Sequence, residues 1–274
     1  MRHDPPSRTQ RAESSAYDAS RTTVATSTIF IAAESRSGST LISNALWASG
    51  IAGFPAEYFQ TPVLFDFSKR WRVPKADARG LLGDLRRRVD DRHARREYFS
   101  YKPDSVPAFV QKLVEERTSE NGVFAVKTLY FDFERFLLNN GLDHRAFPGE
   151  VRCIRLRRRD TLRQAISGAK AQSTGQWHSS DTSTQRPAYS REAIEDRLVV
   201  LARSRDRWRN YFEQRNIEPL DLWYEDLLDD YDAVITSVFH HAGLTPPDPL
   251  PAPPLQRLSD ATNDEWRERY LRGD

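Results

Sequence analysis

Residues 28–60 read TIFIAAESRSGSTLISNALWASGIAGFPAEYFQ, and the reading of this stretch decides the fold. Thr28 to Ala33 is a short apolar run of strand character. A small polar loop follows, Glu34-Ser35-Arg36-Ser37-Gly38-Ser39-Thr40, and then Leu41, Ile42, Ala45 and Leu46 recur at helical spacing. Strand, tight loop and helix in that order make a phosphate-binding device. Gly38 allows close backbone approach, and the unpaired N–H groups and dipole of the helix start point at an anion. Ser37, Ser39 and Thr40 add hydroxyl donors, and Arg36 adds a fixed charge.

The loop is not a Walker A motif, which needs two glycines and a lysine before the Ser/Thr. Only Gly38 is present, and no lysine lies between Glu34 and Thr40. That lysine reaches the β- and γ-phosphates, so its absence argues against ATP or GTP as phosphoryl donor. Another phosphate-bearing ligand fits the loop.

The 274 residues suffice for one α/β domain or two small ones. A net charge of +2, from 41 basic and 39 acidic residues, excludes bulk attraction to nucleic acid or membrane and makes any basic site a local one. The single cysteine, Cys153, sits in an apolar-alternating run and reads as an inert core thiol. There is no run of 18 apolar residues and no signal-peptide core near Met1, so a soluble, cytoplasmic protein is expected. No His/Cys cluster implies a metal.

Residues 1–27 show no periodicity and read as a disordered tail; 28–274 is expected to form one domain. Gly53–Phe59 should cross the carboxyl edge of the sheet, where ligands bind in open α/β folds, which brings Glu57 near the phosphate loop. Residues 61–120 look like a helical insertion whose arginines (Arg86, Arg87, Arg88, Arg92, Arg95, Arg96) read first as a solvated face, otherwise as an acceptor or partner surface. A strand at 123–127 ends in Lys127, either a solvated strand-end lysine or a site residue. Further along, a helix is expected over 191–215, a strand over 219–224, and one helix over 225–242.

The second informative stretch is 151–177, VRCIRLRRRDTLRQAISGAKAQSTGQW. A strand through Leu156 leads to a helix capped by Asp160 or Thr161, with Leu162, Ala165, Ile166 and Ala169 on its apolar face. Arg159 and Ser167 lie at the strand end and two turns into the helix. A guanidinium fork with a nearby hydroxyl suits a phosphate; a structural ion pair is the plainer reading of Arg159. Arg155–Arg159 lacks the aromatic interleaving of a nucleic-acid surface. Residues 172–190 are a polar loop holding Trp177 and His178; a loop of this length is often a lid or binding loop.

Arg36-Ser37-Gly38-Ser39-Thr40-Leu41 followed by Gly53-Phe54-Pro55-Ala56-Glu57-Tyr58-Phe59 resembles the bacterial trehalose 2-sulfotransferase family. Lys127-Thr128-Leu129-Tyr130, the Arg159/Ser167 pair, Trp177, and a closing pattern of Arg257, Asp260, Glu265, Trp266, Arg269 and Tyr270 match it in the same order. The resemblance implies a three-layer α/β domain with a mostly parallel central sheet and P-loop-kinase-like topology. It implies transfer of a sulfuryl group from 3′-phosphoadenosine 5′-phosphosulfate (PAPS) to a hydroxyl, without a metal. In that reading Arg36 to Thr40 hold the 5′-phosphosulfate, Arg159 and Ser167 the 3′-phosphate, and Arg257 folds over the nucleotide. Glu57 is the general base, and Phe54, Lys127 and Trp177 face the acceptor. A homodimer is implied by the resemblance alone. One departure is Phe54, where the family's Gly-Glu-Pro-x-Glu pattern has an acid; it points to an acceptor less polar than trehalose, such as a glycolipid, a nucleoside or another natural product. A nucleotide or sugar kinase and a non-catalytic nucleotide-binding module are the competing readings.

Overall fold

The computed structural model describes residues 17–18, 23–73, 105–177, 186–253 and 261–273. Four parallel strands form its sheet: β1 (Ser27–Ala33), β2 (Val123–Leu129), β3 (Glu150–Arg157) and β4 (Leu220–Trp223), in the order β2-β1-β3-β4. Such a sheet is apolar on both faces, which is why its strands read as continuous hydrophobic runs. Phe30, Ala32, Phe124, Val126 and Cys153 point to one face. Ile29, Ile31, Val123, Ala125, Ile154 and Leu156 point to the other.

Helices cover both faces and make three layers, as the sequence implied. The first face is covered by α2 (Thr61–Arg70), α3 (Ser105–Arg117), α4 (Tyr130–Phe136) and α6 (Arg191–Gln214), through Phe67, Phe109, Phe133, Trp208 and Phe212. Helices α2 and α3 lie within 61–120, so the described part of that region belongs to the main core. Residues 74–104, with the six arginines noted above, lie outside the described residues. The second face is covered by α1 (Ser39–Ala48), α7 (Tyr224–Asp229) and α8 (Tyr231–His241), through Ile42, Leu46, Leu227, Ile235 and Phe239. A third cluster joins α5 (Thr161–Thr174) to α6 and to α9 (Ala261–Arg272), around Ile166, Leu201 and Trp266.

Three local expectations change. The single helix expected over 225–242 is two helices, because Asp230 is extended (φ −147°, ψ 82°) and its side chain caps α8 by accepting from the Ala233 amide. The polar loop begins later than 172, since α5 runs to Thr174 and stops at Gly175 in the left-handed region. Tyr17 and Asp18, assigned to a disordered tail, are packed: the Tyr17 ring lies 4.6 Å from Trp47, and Asp18 pairs with Arg117 at 2.6 Å.

Topology places the site. β1 is flanked by β2 on one side and β3 on the other, so the chain leaving β1 and the chain leaving β3 emerge side by side at the carboxyl edge. Ala33 is in register with Leu129 and with Leu156, which sets the three strand exits level.

Candidate functional site

The loop after β1 is shaped by its own short contacts. Gly38 has φ +84° and precedes α1; a Cβ there would collide with the Tyr224 ring. Arg36 also adopts a left-handed conformation (φ 60°), uncommon for a residue with a side chain and a mark of a locally constrained turn. No side chain caps the start of α1, and its first turn carries no acid. An uncapped helix start with no acid in its first turn is suited to an anion through its amides and dipole. Thr40 is exposed at this end, while Ser39 is buried. Ser37 is fully buried, and its hydroxyl donates to the Glu34 carbonyl at 2.7 Å. Its hydroxyl proton therefore closes the turn, where residue type alone suggested a donor to a ligand.

The structure brings Arg36, Ser167 and Trp177 together. Arg36 Nε donates to Ser167 Oγ at 2.9 Å, and Arg36 Nη1 donates to the Trp177 carbonyl. Trp177 is 39% exposed, and the Arg197 guanidinium lies 5.4 Å from its ring centroid. Arg159 does not join them. Its guanidinium is exposed and pairs with Asp226 at 2.7 and 3.1 Å, the structural ion pair that was the plainer reading. Successive residues leaving a strand point opposite ways, and here Arg158 turns inward. It lies 4.6 Å over the Tyr224 ring, the same ring that backs Gly38. Its Nε is buried without a hydrogen-bond partner, and the nearest carboxylate, Glu225, is 3.9 Å away. Burial pushes this guanidinium below its ordinary range, with Tyr224 and Glu225 acting in the opposite direction. Spacing to Ser167 selected Arg159; the side-chain directions put Arg158 against the Tyr224 ring and Arg159 on Asp226.

Glu57 lies at the neighbouring strand exit. The segment Gly53–Glu57 runs along β2, with the Lys127 amide donating to the Ala56 carbonyl at 3.1 Å. Gly53 is needed there because a Cβ would lie 2.7 Å from the Ala125 amide nitrogen. Glu57 Oε1 is 2.9 Å from Lys127 Nζ, and Gln60 donates to Oε2. Lys127 is only 5% exposed, so it is not a solvated strand-end lysine. Phe54 is buried, its ring packed on Trp47 and Tyr17, and so presents no open apolar surface. Arg257 and His178 lie outside the described residues.

One group escaped the sequence reading. Glu34, 2% exposed, is gripped by Arg205 of α6, with Nε on Oε1 at 3.0 Å and Nη2 on Oε2 at 2.8 Å. The bond to Glu34 raises the Arg205 guanidinium further. Gln164 donates to the Ser35 carbonyl at 2.7 Å. Among the described residues no group of three His, Cys, Asp or Glu is placed to hold a metal, and no helix is long and apolar enough to cross a membrane.

A parallel α/β sheet carries an uncapped helix start at its carboxyl edge and a carboxylate–ammonium pair one strand over. The Stf0 sulphotransferase family model matches residues 28–273, and the chain belongs to that family; it is a sulfotransferase. It is similar to trehalose 2-sulfotransferase of Mycolicibacterium smegmatis, with 29% identity over 88% of this chain and 93% of that protein. It is also similar to trehalose 2-sulfotransferase of Mycobacterium tuberculosis, with 27% identity over 88% and 92%. The sulfotransferase domain of the Synechococcus PCC 7002 olefin synthase aligns over 89% of this chain and 88% of its own at 15% identity, with a TM-score of 0.45.

Proposed function

We propose that this sulfotransferase moves a sulfuryl group from PAPS to a hydroxyl of a carbohydrate, glycolipid or other small natural-product acceptor, with Glu57 as general base. The observation that carries the reading is the uncapped, acid-free start of α1 within Arg36–Thr40, tied through Arg36 to Ser167. In this reading the Gly38, Ser39 and Thr40 amides and the Thr40 hydroxyl receive the 5′-phosphosulfate. Ser167 and Arg158, in place of Arg159, receive the 3′-phosphate; Arg158 already lies against the loop through Tyr224 and has a buried, unmatched Nε.

The acceptor oxygen attacks sulfur in line as the bond between sulfur and the 5′-phosphate oxygen breaks. The acceptor proton passes to the Glu57 carboxylate, and adenosine 3′,5′-bisphosphate (PAP) leaves. A phosphate is already a good leaving group, so the protein's tasks are alignment, charge stabilisation and proton removal. Lys127 and Gln60 hold the Glu57 carboxylate by its two oxygens. The two relatives are named for trehalose. Phe54 removes a carboxylate from this side of the site, and its burial among rings leaves the acceptor surface to other residues. An acceptor with fewer hydroxyls to satisfy than free trehalose follows.

The test is the thermal shift of the purified protein with PAP, ATP and AMP, followed by sulfation assays with PAPS on trehalose and on glycolipids. Ligand at about a hundred times its Kd stabilises the folded state by about 2.7 kcal/mol. A clear rise with PAP and little with ATP is expected. A rise with ATP alone favours a kinase, no rise with any of them removes the donor assignment, and trehalose turnover equal to that on any other acceptor defeats the acceptor reading.

A further inference from the structure

The Glu34–Arg205 pair lies behind the phosphate loop and has no part in the chemistry above. A carboxylate next to an anion site is a poor choice on charge alone, because unpaired it repels the ligand the loop is read as receiving. Burying it is costly as well, unless it is paired and hydrogen-bonded. Both penalties are met by Arg205, which neutralises Glu34 through two parallel bonds of 3.0 and 2.8 Å.

The same guanidinium does more than neutralise. Its Nη2 also donates to the Arg158 carbonyl at 3.1 Å. The β1–β3 ladder ends at Ala33 and Leu156, so Glu34 and Arg158 lie beyond its last register pair, where the two chains are free to diverge. Arg205 bridges them as one further rung. Gln164 adds a second tie across the same gap, from the first turn of α5 to the Ser35 carbonyl at 2.7 Å. The bridge has a fixed base: three residues along α6, Trp208 is buried in the core and donates to the Ala33 carbonyl at 3.3 Å.

We propose that Glu34 and Arg205 are positioning residues that set the spacing between the loop after β1 and the turn after β3, and thereby the preference for a nucleotide carrying phosphates at both its 3′ and 5′ positions. The inference rests on the donor reading, in which the loop and the turn receive the two ends of the nucleotide. A ligand held at one end tolerates a change in that spacing. A ligand held at both ends does not, since a shift that keeps one set of contacts misplaces the other and leaves charged groups imperfectly paired.

The experiment is calorimetric titration of PAP and of AMP into the wild-type protein, Arg205→Met and Glu34→Gln, with circular dichroism and melting to establish folding. Wild type binds PAP in preference to AMP. Arg205→Met loses PAP affinity by about tenfold or more while AMP affinity changes by less than about threefold, so the preference collapses. Glu34→Gln keeps the shape of the pair without its charge and shows the same change to a smaller degree; it carries the test if Arg205→Met does not fold. Equal losses for PAP and AMP, or an unchanged ratio, overturn the proposal and reduce the pair to a structural tie. A wild-type protein without preference for PAP overturns the donor reading and the proposal with it, and is recognised before any substitution is made.

Discussion

The two sides of the carboxyl edge are built differently. Where β1 and β3 end, the chain is held by directional polar contacts: Glu34 to Arg205, Gln164 to the Ser35 carbonyl, and Arg36 to Ser167. Where β2 ends, it is held by rings, with Tyr17, Trp47 and Phe54 packed together and Tyr58 on Phe67; the Glu57–Lys127 pair stands among them. Polar contacts fix distances and angles, as a ligand with charged ends requires. Ring packing fixes volume and tolerates small displacements. Substitutions on the β1/β3 side should therefore register as binding. Those on the β2 side should register as stability, except at Glu57, where they should register as rate.

The largest effect is expected at that exception. Glu57→Gln should lower turnover by about 10²- to 10⁴-fold, the usual range for a general base, while the PAP thermal shift persists. Turnover within about threefold of wild type would remove Glu57 from the chemistry.

Asp18→Ala should come next, as a loss of stability. Asp18 accepts from Arg117 at 2.6 Å, from Arg70 at 3.3 Å and from Trp71 Nε1 at 3.2 Å, and the Arg117 side chain is fully buried. Removing the Asp18 carboxylate weakens the hold on a buried guanidinium, at about 3 kcal/mol, or a fall of several degrees in Tm. PAP binding measured well below that Tm should stay within about twofold. A variant that melts like wild type would show that this N-terminal contact contributes nothing.

Gly38→Ala should be smaller in stability, about 2 kcal/mol for strain at φ +84° against the Tyr224 ring, yet should abolish the PAP thermal shift. Retention of that shift would mean that the loop after β1 does not touch the ligand.

The smallest effect concerns pH. Burial pushes His144 below its ordinary range, with Asp143 acting against that and Arg145 and Arg215 adding to it; its Nδ1 is 2.6 Å from the Tyr211 hydroxyl. Burial likewise lowers His241, whose Nε2 donates to the Cys153 carbonyl at 2.9 Å. A histidine depressed in the fold binds its proton more readily when unfolded. Its contribution is complete above the unfolded value of about 6.5 and is lost as pH falls from there through the folded value. Tm should therefore fall between about pH 7 and pH 5, and fall less in His144→Gln, which has no proton to gain. An identical slope in the variant would exclude His144 as a source.

Much of the fold was legible because its signals are local. The strand–loop–helix at 28–48, the capped helix after Asp160 and the long amphipathic helix ending near Gln214 are each set by contacts within a few residues. Asp230 was legible in principle, as a helix cap inside an apolar pattern, but the apolar spacing on both sides ran through it. The site was legible in its parts list and less so in its assignments. Ser37 reads as a donor by residue type, and burial turns its hydroxyl into a turn lock. Phe54 reads as an acceptor surface and is packed away between rings.

By itself the sequence determined a strand, tight loop and helix at 28–48 with no Walker lysine, through periodicity and turn chemistry. The class of protein, a parallel α/β sulfotransferase, came from the resemblance of its ordered motifs to a known family. Only the tertiary structure decided which arginine faces the loop and what holds the loop in place. Arg158 and Arg159 are neighbours with one chemistry, separated by the direction each leaves the strand. Glu34 and Arg205 are 171 positions apart, and no local pattern links a carboxylate to a guanidinium that reaches it only after the sheet and α6 have packed.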